Sequence, residues 1–309
     1  MNIIKGRYLF FALSLLIILP GLALLVGQAV KQELPLSIDF TGGSLLEVRL
    51  GVENPPSEEI IAVYEALGVG DAQVQTTDAG SLLIRSSYVD NDLRDQILTA
   101  LEIEFSTSVE VLRLDSVGPS IGKQVTSRAA IAVGFAALAV VIYITIVFRG
   151  MAHAFRYGVC AIIAMVHDVA VVFSITALGA VFFGWEMDAL FLTALLTVIG
   201  FSVQDKIVVF DRIRENANIL RRLDFETLVN HSIVQTLQRS INTQLMTVEF
   251  LLLALALMGG VTLQEFAVIL LVGLLSGTYS SIFIAAPILV LWEKKEWQTW
   301  FKRPRQAAA

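Results

Sequence analysis

The stretch Val198–Asn216, VIGFSVQDKIVVFDRIREN, begins as apolar helix, carries Asp205 and Lys206 while still flanked by apolar residues, and ends in Asp211, Arg212 and Arg214. A carboxylate inside hydrocarbon is costly, so Asp205 is a functional-site candidate by default. It lies 17 residues beyond Asp188, about 25 Å along a helix at 1.5 Å per residue. That depth puts it in the last third of a membrane span, close to the basic end.

The rest of the chain fits that reading. Of 309 residues 56% are hydrophobic and 16% charged, and the mean hydropathy is +0.72. These values point to a polytopic membrane protein. Six segments are long and apolar enough to span, near Tyr8–Val30, Ala129–Phe148, Tyr157–Phe183, Ala189–Phe210, Ser240–Gly260 and Phe266–Trp292. Lys5, Arg7, Arg149, Arg156, Arg212, Arg214, Arg239 and Lys294 fall on one side of them. The short opposite loops, Gly184–Asp188 and Val261–Glu265, carry no Lys or Arg. The positive-inside rule then makes both termini cytoplasmic, which agrees with an even number of spans. The first span follows Lys5 and Arg7 as a signal peptide would, but its 23 residues and the lack of an A-x-A site mark it as retained.

Four regions follow: residues 1–30 as tail and first span, 31–128 as an extracytoplasmic domain, 129–292 as spans two to six with a polar cytoplasmic loop at 211–239, read as helical or as a solvated connector, and 293–309 as a basic tail. Gln28–Arg128 holds 7 Lys/Arg against 16 Asp/Glu. In it, strands at Ser44–Leu50, Ala72–Thr76, Ser81–Arg85 and Ser108–Leu114 alternate with helices at Ser57–Leu67, capped by Ser57, and Asn91–Phe105. A turn with Asp78 and Gly80 joins the middle strands. The order βαββαβ is a ferredoxin-like α+β arrangement. In the tail, Trp297 and Trp300 among basic residues suit an interfacial anchor. The charge balance gives no support to nucleic-acid binding. One cysteine, Cys160, excludes a disulfide framework and a cysteine-based metal site. Gly118-Pro119-Ser120-Ile121-Gly122 fits G-x-S-x-G, but His153, His167 and His231 all lie outside the extracytoplasmic domain, so a hydrolase is excluded by topology.

Several groups remain as candidates. Arg239, at the head of span five, is at a depth comparable to Asp205, and the two meet if spans four and five pack together. An arginine lowers the proton affinity of a carboxylate and restores it on leaving, so the pair suits proton loading and release; a static ion pair orienting two helices is the alternative. Lys206 either neutralises Asp205 or snorkels to the interface. His167 and Asp168 in span three, with Glu249 in span five, form a secondary polar path or simply bridge helices. Asp39, Gly42 and Gly43 (IDFTGG) and Gly118, Pro119 and Gly122 (VGPSIGKQ) flank the domain where the chain must turn.

Taken in order, IDFTGG, VGPSIGKQ, the His167-Asp168 pair, IGFSVQDKIVVFDRIREN, RSINTQLMT at Arg239–Thr247 and GTYSSIFIAAPIL at Gly277–Leu289 resemble the SecF family. SecF is the smaller partner of SecD in the accessory complex of the bacterial Sec translocase. The resemblance covers essentially the whole chain. It implies six spans, a ferredoxin-like domain between the first two, kinship with resistance-nodulation-division transporters, and no enzymatic step, metal or cofactor. It further implies use of the proton-motive force, with Asp205 as proton carrier, Arg239 as its partner, and the two glycine segments as hinges. The implied partners are a SecD-like subunit, a SecYEG-type translocon, the unfolded polypeptide in transit and membrane lipid. The implied place is the bacterial plasma membrane, with the thylakoid membrane as the alternative. The chain departs from the family's usual pattern at Gln204, Lys206 and Gln244. Two other readings stay open: a proton-coupled exporter of small or lipidic molecules, and a scaffold without a proton path.

Overall fold

The computed structural model describes residues 2–31, 33–52, 55–77, 80–149, 154–244, 250–258 and 261–298. Asp78, His153, Glu249 and Trp300 fall outside them. Two compact units are formed, residues 36–131 and residues 1–35 with 132–309.

The smaller unit begins with a one-turn helix, α2, which follows the long helix α1 (Arg7–Lys31) in the chain. After α2 (Ile38–Thr41) come β1 (Gly43–Leu50), α3 (Ser57–Ala66), β2 (Gln73–Thr76), β3 (Leu82–Ser86), α4 (Asn91–Phe105) and β4 (Val109–Val117). The sheet is antiparallel in the order β2-β3-β1-β4. Alternation puts Leu46, Val48 and Leu50 of the central strand on one face. Ile60, Val63 and Tyr64 of α3 and Ile97 and Leu101 of α4 recur at helical spacing. All of them belong to one core cluster with Leu82 and Ile84 of β3. Burial pushes the Tyr64 phenol well above its ordinary pKa. Asp90 caps α4, its carboxylate accepting from the Leu93 N–H at 2.8 Å. Ser57 does not cap α3: it is the first helical residue, and Pro56 in extended conformation precedes it. A proline has no side-chain acceptor to offer, so this helix starts without a side-chain cap.

The larger unit is built from α1, the part of α5 (Pro119–Val147) beyond Ile131, α6 (Ala154–Phe183), α7 (Ala189–Ile219), α8 (Phe225–Gln244), α9 (Phe250–Met258) and α10 (Val261–Ser280). A π-helical turn (Ser281–Ala285) then leads into α11 (Ala286–Lys294). Among the described residues five helical stretches are long and apolar enough to cross a membrane: Ile4–Lys31, Pro119–Val147, Ala154–Phe183, Ala189–Ile219 and Leu263–Lys294. The expected span Ser240–Gly260 is described only as the end of α8 and as α9.

Two boundaries differ from the sequence reading. α5 starts ten residues before Ala129, with Pro119 as its first residue, where the missing N–H costs nothing. α7 does not stop at Phe210. Val209, Phe210, Ile213 and Asn216 keep an inward stripe going, and the Asn216 amide donates to Ser232 Oγ at 2.8 Å and Gln235 Oε1 at 2.9 Å on α8. The polar loop, expected to be helical or a solvated connector, is helical: the end of α7 and α8, joined by the turn Leu220–Asp224.

Small residues allow close crossings, as expected where dispersion rather than water exclusion drives helix packing. A Cβ on Gly21 of α1 would lie 2.1 Å from Ser174 Oγ of α6, and one on Gly273 of α10 2.3 Å from Val198 of α7. Ion pairs tie the helix ends on the basic side. Arg7 meets Glu296 at 2.8 Å and Glu226 at 3.5 Å, Lys294 also meets Glu226, and Arg156 meets Glu293.

Candidate functional site

The polar centre of the larger unit is Asp168 on α6, whose side chain is fully buried. Its Oδ2 accepts from Ser202 Oγ (2.7 Å) and Lys206 Nζ (2.8 Å) of α7 and from Ser280 Oγ (2.7 Å) of α10. Its Oδ1 accepts from Ser276 Oγ (2.8 Å) and lies 3.0 Å from His167 Nδ1. An ionised carboxylate offers about four lone-pair positions and no donor, which is the pattern that the surrounding ammonium and hydroxyls meet. Lys206 is equally buried. Its Nζ also donates to the Ser202 carbonyl at 2.9 Å and to Ser202 Oγ at 2.6 Å. His167 stacks on Tyr279 with centroids 6.1 Å apart, and its buried Nε2 has no hydrogen-bond partner among the described residues.

Helical spacing explains the set. Ser202 and Lys206 are four apart on α7, and Ser276 and Ser280 are four apart on α10, so each pair shares one face. Asp205 is one residue from Lys206, about 100° round the helix, and looks elsewhere. It accepts a single hydroxyl, Thr278 Oγ1 at 3.0 Å. Thr278 lies midway between Ser276 and Ser280 in sequence and therefore off their face. Asp205 is 9% exposed and forms no ion pair among the described residues.

The sequence expectation for Lys206 is corrected here. It neither snorkels nor pairs with Asp205, because its ammonium is fully buried against Asp168. Arg239 lies on the exposed side of α8 and makes no ion pair with Asp205. Asp205, Lys206, His167 and Asp168 are thus gathered by α6, α7 and α10, while Arg239 stands apart. Ser202, Ser276, Thr278 and Ser280 were not singled out from the sequence. The hydroxyl-rich run Ser276–Ser281 inside an apolar span was the available signal. The π turn that follows it sits just before Pro287, which cannot donate to the carbonyl four residues back.

The two glycine segments meet in the smaller unit. Gly42 has φ +75° and Gly43 φ +130°, both unfavourable for any residue with a Cβ. A Cβ on Gly42 would lie 2.9 Å from Pro119 Cα, one on Gly43 2.7 Å from the Ser86 carbonyl, and one on Gly122 2.6 Å from the Gly42 nitrogen. Thr126 Oγ1 donates to the Phe40 carbonyl at 2.8 Å. Asp39 is half-buried in the first turn of α2, its N–H donating to Ser37 Oγ. A Cβ on Gly118 would meet nothing within 4 Å, and the Gly118 carbonyl accepts from the Gly122 N–H at 3.0 Å. A cavity of about 380 Å³ opens beside this joint, lined in part by Thr41, Asp71, Arg85 and Tyr88. Burial holds the Arg85 guanidinium below its ordinary pKa.

Residues 97–295 match the family profile described as protein export membrane protein SecD/SecF, C-terminal, and residues 30–51 match the SecD/SecF GG motif. The protein translocase subunit SecF of Anaerolinea thermophila is 63% identical over 310 residues, spanning 100% of this chain and 99% of that one. The protein translocase subunit SecF of Synechocystis is 35% identical, spanning 96% and 94%. Among solved structures, the crystal structure of SecDF, a translocon-associated membrane protein from Thermus thermophilus, is similar with a TM-score of 0.78 and 31% identity. It covers 95% of this chain, which spans 39% of that longer protein. The profile over α4 to α11, the glycine pair at Gly42-Gly43 and relatives matched end to end lead to one conclusion: the chain belongs to the SecF family of protein-export membrane proteins.

Proposed function

We propose that this chain works in protein export as the smaller half of a SecD–SecF accessory unit, drawing on the proton-motive force to help an unfolded polypeptide across the membrane. The observation that carries the coupling step is the unequal treatment of two neighbouring carboxylates. Asp168 is matched by a buried ammonium and three serine hydroxyls, so it has no room for a proton. Asp205 has one hydroxyl and, among the described residues, no ion pair, so a proton can load there without dismantling a network. In this reading Arg239 is the charge switch, reaching Asp205 in a second conformation and expelling the proton. One charge crossing 100 mV is worth about 2.3 kcal/mol, enough to bias a hinged domain though not to unfold a stable one.

The fuller architecture belongs to the same proposal: six spans, with Ser240–Gly260 as the fifth, and a ferredoxin-like domain on the extracytoplasmic side. Both termini are then cytoplasmic in a bacterial plasma membrane, with a thylakoid home as the alternative suggested by a cyanobacterial relative. A SecD-like subunit is the first partner, supported by the longer SecDF chain that this one matches in part. A SecYEG-type translocon, the passing polypeptide and lipid are the others. No covalent step on the polypeptide is involved.

The test is Asp205→Asn in cells lacking the native subunit, with assembly confirmed. Export completion is followed with and without a proton gradient at constant ATP. Loss of the gradient's benefit is expected. A full benefit in the variant would leave the second reading, a scaffold whose proton path lies in the partner, and the locked Asp168–Lys206 pair is the observation in its favour.

A further inference from the structure

We infer that Lys206 is a tethered cation filling an alkali-ion site built around Asp168, and that a small monovalent cation of the sodium class takes the site when the lysine is removed. The inference is independent of the export reading, since it concerns what the cluster binds rather than what the chain moves.

The argument starts from charge and atom type. The groups facing the Lys206 ammonium are all oxygens: Asp168 Oδ2, Ser202 Oγ and the Ser202 carbonyl, at 2.6–2.9 Å. These are hard ligands, the kind that suit hard cations rather than soft ones. Of the groups in contact with it only Asp168 carries a formal negative charge, while Asp205 acts on the ammonium through space without touching it, and the ammonium supplies a single positive charge. The balance matches a monovalent ion and would leave a divalent ion uncompensated in a buried site. Ser276 and Ser280 of α10 complete the surroundings by donating to the same carboxylate.

Geometry adds a second point. An ammonium has three donors, and here three acceptors meet them, so the lysine head is enclosed as a bound ion would be. Its four-carbon stem runs back to α7, the helix that also supplies Ser202 four residues earlier. The cation and two of its oxygens therefore ride on one rigid element. Removing the stem and head leaves an oxygen-lined space beside a carboxylate that has lost its counter-charge. Serine at this position would add one more hydroxyl.

The experiment uses the purified full chain in detergent, comparing sodium chloride with choline chloride at equal ionic strength. Thermal unfolding and binding of radioactive sodium are read for the unsubstituted chain, Lys206→Ser, Lys206→Met and Lys206→Ser with Asp168→Asn. The unsubstituted chain is expected to unfold at the same temperature in both salts and to bind no sodium. Lys206→Ser should melt several degrees higher in sodium than in choline, saturably, and bind sodium. Lys206→Met, which refills the space with an apolar stem, should show no difference between salts, and the double variant should lose the response. The inference is overturned if Lys206→Ser behaves alike in both salts, including failure to fold in either. It is equally overturned if the sodium response survives Asp168→Asn, or is already present in the unsubstituted chain.

Discussion

The two units solve the problem of holding helices together in opposite ways. In residues 36–131 the centre is apolar: Val48, Ile60 and Leu101 are fully buried with no charge among them. Water exclusion drives that packing, at about 25 cal/mol per Å² buried. In the larger unit the centre is a carboxylate, an ammonium and a set of hydroxyls. Lipid offers no hydrophobic incentive for one apolar helix to choose another, so shape and polar contacts must choose. The polar cluster therefore sets which faces of α6, α7 and α10 meet, while the core of the smaller unit sets only that its faces be apolar.

That contrast can be broken by substitution. Asp168→Ala should cost the most, about 3–5 kcal/mol, because it strands a buried ammonium; thermal unfolding in detergent checks it. The sharper form is the double change Asp168→Leu with Lys206→Met. Removing both charges should recover most of the loss, since an apolar replacement for a buried pair is often neutral or stabilising. If the double variant is no better than the single one, the cluster matters for more than its charges.

Leu101→Ala should cost about 2–5 kcal/mol in the smaller unit, as a cavity in a closed apolar core. Proteolysis of residues 36–131 reads it, and the melting of the helical unit should move less. Gly122→Ala is expected to cost about 1–3 kcal/mol, because a Cβ there meets the Gly42 backbone rather than a yielding side chain. A negligible effect would mean that the joint is loose, as a hinge would be, and not packed. Asp205→Asn should be the mildest, below about 1 kcal/mol, since an amide oxygen still accepts from Thr278. A large loss would place Asp205 with Asp168 as a structural carboxylate and remove the contrast between them.

Much of the fold could be read in advance because its signals are local. Asn91–Phe105 was legible to the residue, since Asp90 caps the helix and Ile97 and Leu101 repeat at its spacing. The polar stretch after Phe210 was legible as helical, but its charge masked the stripe Val209, Ile213 and Asn216 that carries α7 on without a break. At the site, Asp205, Lys206, His167 and Asp168 stood out because charge inside an apolar run is visible without a partner. The serines did not, because a hydroxyl in a span can bond its own preceding carbonyl and so carries little signal.

The sequence by itself determined that this is a membrane chain with a small sheet unit, that it belongs to an export family, and that carboxylates lie buried in its spans. Those properties follow from composition, periodicity and motif order along one dimension. Only the tertiary structure decided that Lys206 serves Asp168 instead of its neighbour Asp205, and that Gly42 and Gly122 are pressed together 80 residues apart. The reason is rotational: adjacent residues on a helix point about 100° apart, so which charge meets which depends on the helix packed alongside.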